Sequence, residues 1–293
     1  MFAERRKGPN GPPSQQKRPG AAGPEPERGA KVKPYQKLAL VYDLFGADSH
    51  SVRMAEYTLE LMRRFRFEPH DGLDLCCGTG SALKYLSDHG LAMSGLDRSP
   101  QMLRVARLKL KGRGLKLYRQ ELPHFLIAEG HGRPRRPRRF GLVTSFFDSL
   151  NYLLTAKALA ATFRNVRRHL RPGGYFVFDM NTPHALKAVW GGSAPFAKVI
   201  DDAAWFYRTS YSEKTGIAGY RTAIFLKKAR RWERADEVHF ERGYSNAEIK
   251  ALLRAAGFRI RGFYRCLTFD PPDTSTNRIC AVAQRRNSDR SRP

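Results

Sequence analysis

The residues best suited to chemistry lie in the run Leu73-Asp74-Leu75-Cys76-Cys77-Gly78-Thr79-Gly80. Glycines at the carboxyl end of a strand let a ligand approach the backbone closely, in the crevice where open α/β sheets bind ligands. A helix that starts next offers unpaired N–H groups and a partial positive charge, which suit a carboxylate or a phosphate. The dinucleotide fingerprint is not completed, because Gly78-Thr79-Gly80-Ser81-Ala82 leads to Leu83 and not to a third glycine. A ligand with a smaller anionic end than a pyrophosphate is therefore expected. Asp97 ends the next apolar run, where an acidic side chain can accept from both hydroxyls of a ribose. Taken alone it reads equally well as a capping or turn residue. Met102 follows at the lip of the same crevice, beside the expected position of an adenine, with core packing as the plainer reading.

These residues need a scaffold, and the chain supplies one by alternation. GLDLCC, LAMSGLD, LKLYRQ, FGLVTSFF and GGYFVFDM read as five strands. Between them, SALKYLSDHG closes at Gly90, and SPQMLRVARLKL starts with Ser99 as cap and Pro100 in its first turn. Thr155 caps a helix running to about Leu170. Strands alternating with helices predict a doubly wound α/β domain with a mostly parallel sheet. Ahead of it, YQKLALVYDLF and SVRMAEYTLELMRRF carry apolar residues at helical spacing, the second with Val52, Ala55, Leu59 and Leu61–Met62 as its stripe. Residues 198–244 break the alternation with three β-rich stretches and no helix, which predicts an antiparallel insertion or lid. Ser245 and Glu248 then form a capping box, and RIRGFYRCLTF and NRICAVAQR read as closing strands.

Composition sets limits. The chain has 293 residues, 41% hydrophobic, enough for one elaborated domain with a buried core. No apolar run approaches the roughly 20 residues a membrane helix needs. No apolar region follows the first basic residues, so a secretory signal is not expected and a cytoplasmic setting is. Cys76, Cys77, Cys266 and Cys280 match neither a zinc site nor a disulfide framework, and Cys76 and Cys77 read as reduced core residues on the first strand. The net charge is +26, and about half of the excess falls in residues 1–34, the run RPRRPRR at 133–139 and the closing QRRNSDRSRP. The expected organisation is a disordered basic tail at 1–33, one domain at 34–286 and a disordered tail at 287–293. A basic surface can bind nucleic acid, but solvated tails that keep the protein soluble are the favoured reading.

LDLCCGTG, GLDRSPQML, RQELP, FGLVTSFFDSLNYL and LRPGGYFVFDMNTP, taken in order, resemble the successive motifs of class I S-adenosylmethionine-dependent methyltransferases. The resemblance spans residues 35–285 and lies nearest the small-molecule branch with a β-rich insertion after the fifth strand, similar to sugar-amine N-methyltransferases. It implies a seven-stranded Rossmann-like sheet and S-adenosylmethionine as cofactor. Asp74, Gly78 and Gly80 would border the methionine moiety, with Cys76 on the same loop. Asp97 would hold the ribose, and Met102 would pack on the adenine, whose edge Gln120 and Glu121 would meet. Phe146, Phe147 and Asp148 would lie below the sulfonium, and Tyr35 and Tyr42 would cover the cofactor from an opening helix.

Methyl transfer from a sulfonium disperses positive charge, so it asks mainly for positioning and desolvation. An amine acceptor must be neutral and a hydroxyl acceptor needs a base. Asp148, Tyr152, His184 and His239 are the candidates, with both histidines also readable as structural and Asn151 as a backbone-bonding turn residue. No Asn/Asp-Pro-Pro-aromatic motif follows the fourth strand, which disfavours methylation of a flipped base. A small-molecule acceptor is thus expected, methylated on N or O. The alternatives are an RNA or protein methyltransferase using its basic tails, and a non-catalytic cofactor-binding module. Trp205, Phe206, Tyr207, Tyr211 and Tyr220 equip the insertion to line an acceptor pocket, to pack a core of its own or to form a homodimer contact.

Overall fold

The computed structural model describes residues 34–129 and 136–287. The tail expected at 1–33, residues 133–135 of the arginine-proline run and all of the closing tail but Asn287 lie outside them.

A helix, α1 (Ser49–Phe65), precedes the alternating region. Its buried side is Met54, Ala55, Tyr57, Thr58 and Leu61, which shares Ala55 and Leu61 with the stripe the aliphatic residues predict and leaves Val52, Leu59 and Met62 half-buried. Tyr57 and Thr58 turn inward because each finds a backbone carbonyl to donate to: Thr268 for Tyr57, Met54 for Thr58.

Strands β1 (Asp71–Leu75), β2 (Ala92–Asp97), β3 (Lys116–Arg119), β4 (Phe140–Ser145) and β5 (Leu170–Asn181) alternate with α2 (Ser81–Asp88), α3 (Pro100–Lys109) and α4 (Ala156–Arg168). Each expected cap is present. Ser99 Oγ accepts from Met102 N at 3.2 Å, and Thr155 Oγ1 accepts from Ala158 N at 3.2 Å. Central strands buried on both faces read as continuous apolar runs, and β1 is buried at all five positions. β5 begins at Leu170, which pairs with Phe140, and its register with β4 shifts across Arg171-Pro172-Gly173-Gly174 before Tyr175 pairs with Leu142.

After β5 the chain builds β6 (Phe196–Ile200), β7 (Ala203–Ser212), β8 (Ile217–Lys228) and β9 (Arg231–Arg242). These form a separate antiparallel sheet in the order β9-β8-β7-β6. The first of the three expected stretches divides in two, because Asp201-Asp202 makes a two-residue hairpin turn between Ile200 and Ala203. The chain then returns through α5 (Asn246–Ala255), with both halves of the capping box made, to β10 (Phe258–Arg265) and β11 (Arg278–Arg285). The main sheet has seven strands in the order β10-β11-β5-β4-β1-β2-β3, antiparallel only at β11. Strand order reverses between β1 and β4, where an open parallel sheet leaves a crevice at its carboxyl edge. Among the described residues no helix is long and apolar enough to cross a membrane.

The opening segment differs from its expectation. Residues 35–47 hold one 3-10 turn, Leu38–Leu40, and further turns, not an α-helix. The apolar spacing serves packing: Leu38, Val41 and Phe45 form a small core with Ala203 and Ile224 of the insertion. The segment is a strap joining the two sheets. Alternation along β7 divides the aromatics of the insertion. Trp205 and Tyr207 share a face with Tyr220, whereas Phe206 lies on the other face against Phe225 and is 41% exposed.

Candidate active site

β1 ends at Leu75, two residues before the end of the apolar run, and the chain leaves the sheet at Cys76, a non-glycine at φ +56°. Cys76 therefore stands on a cavity wall and not in a strand, while Cys77 is buried. Burial pushes the Cys76 thiol well up, so it is no thiolate at neutral pH. Gly78 follows at φ +55°, and a Cβ there would meet nothing within 4 Å. It lines the cavity and leaves the space a ligand needs. Gly80 does something else: a Cβ there would lie 2.9 Å from Leu110 Cδ1 and 3.3 Å from Ala106 Cβ. This glycine admits the end of α3 against the loop and is not on the wall. Asp74 is buried behind the loop, where its carboxylate accepts from the Thr144 hydroxyl at 2.7 Å and ties β1 to β4. Burial pushes its pKa up to about 7 against the pull of the Thr144 bond.

Asp97 ends β2 on the cavity wall. One carboxylate oxygen accepts from Gly78 N at 3.0 Å and the other from Ser99 N at 2.7 Å, so one side chain fixes both the loop and the start of α3. Burial raises its pKa and those backbone bonds oppose the rise. An ionised carboxylate has about four lone-pair sites, so two remain for ribose hydroxyls. Capping and ligand binding are thus compatible roles. Met102 lines the cavity and is 3% exposed. Gln120 is bonded at both ends of its amide: Oε1 accepts from Leu126 N at 2.6 Å and Nε2 donates to Leu126 O at 2.9 Å. It lines the cavity with its amide held in place by Leu126, keeping one N–H and one lone pair unused by those bonds. Glu121 stands at the rim, 3.2 Å from Arg98 Nη1. Leu122 lines the same end and was not singled out from sequence.

Phe146 forms part of the wall and is 4% exposed. Phe147 and Asp148 follow at φ +55° and +51°, two consecutive strained non-glycine residues. Asp179 on β5 holds them, accepting from Phe147 N at 2.7 Å and Asp148 N at 3.4 Å. Asp148 itself does not line the cavity. Its Oδ2 accepts from Asn181 Nδ2 at 2.7 Å and Arg278 Nη2 at 3.1 Å, so it is a poor candidate for a base. Arg278 also donates to Asp179 at 2.5 Å. Asn151 is wholly structural, with Nδ2 donating to the carbonyls of Asn181 and Arg242 and Oδ1 accepting from Asn181 N. His184 is exposed and outside the cavity lining.

Tyr152 does stand on the wall, as do Tyr35 and Tyr42 of the strap. The hydroxyls of Tyr35 and Tyr152 are 2.7 Å apart, and Tyr152 Oη lies 2.9 Å from His239 Nδ1. His239 is 1% exposed on β9, so it reaches the cavity only through Tyr152. Glu237, two residues earlier, accepts from the backbone amides of Tyr35, Lys37 and Leu38 at 2.7, 2.7 and 3.1 Å. The other end of the strap is latched to the loop. Thr79 Oγ1 donates to Asp43 at 2.6 Å, Ser81 Oγ to Asp48 at 2.5 Å, and Lys109 Nζ lies 2.7 Å from Asp43. Sequence reasoning missed Glu237, Arg278 and this latch, because each depends on partners far away in the chain.

Gly78, Asp97 and Met102 line one crevice at the β1–β4 switch point. A family described as "Methyltransferase domain" matches residues 73–174. The chain is 33% identical over 246 residues to demethylmenaquinone methyltransferase of Thermus thermophilus, covering 80% of this chain and 94% of that one. It is 29% identical over 229 residues to dTDP-3-amino-3,4,6-trideoxy-alpha-D-glucopyranose N,N-dimethyltransferase of Streptomyces venezuelae, covering 75% and 89%. The structure of an S-adenosylmethionine-dependent methyltransferase from Clostridium acetobutylicum superposes with a TM-score of 0.74 at 27% identity, covering 86% of this chain and 99% of that chain. This chain belongs to the class I S-adenosylmethionine-dependent methyltransferases.

Proposed function

We propose that this methyltransferase modifies an amine or hydroxyl of a small molecule held between the cofactor crevice and the insertion. The observation that carries this reading is the cavity wall itself. It combines Gly78, Asp97 and Met102 of the main sheet with Tyr35 and Tyr42 of the strap, which Glu237 ties to the insertion. A roof of this kind over the crevice leaves room for a small acceptor and excludes water from the reacting methyl group. The aminosugar dimethyltransferase relative supports the same acceptor class. S-adenosylmethionine supplies an electrophilic methyl group carried on a sulfonium. This chain binds and orients: Asp97 takes the ribose hydroxyls, Met102 and Leu122 flank the adenine, and the Gly78 loop borders the methionine moiety. Phe146 forms the floor at the sulfonium, and Tyr35 and Tyr42 form the cover.

Transfer of labelled methyl from S-adenosylmethionine into a fractionated extract tests the acceptor class. Label in the small-molecule fraction is expected; label confined to RNA or protein overturns the reading. The cofactor seat has its own test. Asp97→Ala should weaken S-adenosylmethionine binding by about 1.5–3 kcal/mol, the range for hydrogen bonds to a charged group. Titration calorimetry on the folded variant measures it, and unchanged affinity would remove Asp97 from the site.

A further inference from the structure

Tyr35, Tyr152, His239 and Glu237 form one hydrogen-bonded chain that starts on the cavity wall and ends at a buried carboxylate. We propose that this chain is a proton relay that takes the acceptor's proton away from the cavity. The inference rests on the methyltransferase reading and adds the group that receives the proton.

The direction of the chain follows from its buried end. Glu237 is 1% exposed, and burial pushes its pKa up. The bond to His239 and three backbone amides outweigh burial and hold its pKa below the usual value. Glu237 is therefore an ionised, acceptor-only group. His239 Nε2, 3.3 Å from Glu237 Oε2, must carry the proton between them. The other ring nitrogen, Nδ1, is then bare and accepts from the Tyr152 hydroxyl at 2.9 Å. Tyr152 has spent its only proton, so at 2.7 Å its oxygen accepts from Tyr35. The Tyr35 oxygen keeps a free lone pair beside the cavity. Every donor in the chain points towards Glu237.

The step balances along this line. A bond forms between the acceptor heteroatom and the methyl carbon, and the methyl–sulfur bond breaks with its electron pair left on sulfur. The acceptor's proton moves to Tyr35, Tyr35's to Tyr152, and Tyr152's to His239 Nδ1. The product is an imidazolium paired with the Glu237 carboxylate, and the ring returns its proton to solvent as the product leaves. Neither tyrosine need exist as a phenolate. Burial keeps both well above their usual pKa, so each can only pass a proton on.

The groups that face His239 suit this task. Tyr35 comes from the strap, Tyr152 from the turn after β4, Tyr220 from β8 and Glu237 from β9. Glu241 and Asp148 act on Tyr152 through space, and both raise its pKa. The charged group in direct contact with the ring is the Glu237 carboxylate, 3.3 Å from Nε2. Tyr35 and Tyr152 meet the acceptor; His239 receives the proton through them, and Glu237 positions the ring.

The test has a part that needs no acceptor. Nitrogen-15 NMR of the full chain labelled at histidine, with His239→Gln to assign the signals, reads the tautomer directly. A neutral ring protonated on Nε2 is expected. A ring protonated on Nδ1 at neutral pH could not accept from Tyr152 and would overturn the relay. The second part uses the acceptor fraction found with labelled S-adenosylmethionine. His239→Gln and Tyr152→Phe should each slow transfer at least 100-fold at pH 7, with S-adenosylmethionine affinity by calorimetry within about threefold of the parent. Raising the pH should recover part of the His239→Gln loss, as solvent base replaces the ring. Equal rates in parent and variants at every pH overturn the relay while leaving the methyltransferase reading intact. Loss of cofactor binding in the parent would sink that reading instead.

Discussion

Arg278→Met is expected to destabilise the protein by about 3–5 kcal/mol, the range for leaving buried charge without its partner. Arg278 donates to Asp179 at 2.5 Å and to Asp148 at 3.1 Å, and the Asp179 side chain has no solvent exposure. A methionine fills similar volume, which isolates charge from packing. The loss should depend on pH, and its sign follows from Asp179. In the parent, burial pushes this carboxyl up, but Arg278 and then His50 outweigh burial and hold it below its ordinary value. A depressed folded pKa contributes stability above the unfolded value, about 3.9, and loses it as pH falls through the folded one. Without Arg278, burial dominates and the folded pKa rises above the unfolded one. The penalty is then largest near pH 7 and eases as the carboxylates protonate. Urea unfolding at pH 7.5 and pH 5 measures both effects, and the parent–variant gap should be smaller at pH 5. An equal gap at both values would show that Arg278 acts by shape alone. Activity should suffer as well, since Asp179 also holds the strained Phe147-Asp148 turn below the cavity.

Replacing residues 196–242 with a short Gly-Ser linker should reduce methyl transfer below detection, because positioning supplies most of the rate. The structure alters what this deletion does to the cofactor. A lid resting on a finished site could be removed with S-adenosylmethionine binding nearly unchanged, and the sequence pattern suggests such a lid. Here the strap that carries Tyr35 and Tyr42 hangs from the insertion. Glu237 accepts from three of its backbone amides, and Ala203 and Ile224 pack against Leu38, Val41 and Phe45. Without the insertion, the strap keeps its latch to Thr79, Ser81 and Lys109, the bond from Ser99 Oγ to the Tyr35 carbonyl and the Tyr35–Tyr152 hydroxyl pair, but loses the three amide bonds and the small core that hold its middle. Cofactor affinity should therefore fall at least tenfold, about 1.4 kcal/mol. Far-ultraviolet circular dichroism confirms that the α/β domain stays folded, and calorimetry with a labelled transfer assay reads the two losses. Full transfer after the replacement would place the acceptor elsewhere. Unchanged cofactor affinity would show that the strap is held by its latch.

The local features were legible because neighbouring residues cause them. Ser99-Pro100, Thr155 and Ser245 with Glu248 start helices through bonds made within one turn. Apolar runs buried on both faces mark the central strands, and Gly78 and Asp97 stand at strand ends where a parallel sheet opens. Features that depend on distant partners were not legible. The YQKLALVYDLF pattern predicts a helix, yet Glu237, about 200 residues later, captures its amides and the insertion takes its apolar side. Gln120 looks free in the sequence, but Leu126 takes one bond from each end of its amide and fixes its orientation.

The sequence by itself determined the order of strands and helices, and the glycine loop and acidic residue at the strand ends that line the crevice, because periodicity, caps and turns act over a few residues. Only the tertiary structure decided which candidates meet at the site. Asp148 looks like a base until Arg278, 130 residues away, claims it. Tyr152 and His239, 87 residues apart, become partners only because β9 crosses the turn after β4. A buried side chain's protonation and reach are set by whatever packs against it, and separation along the chain carries no record of that contact.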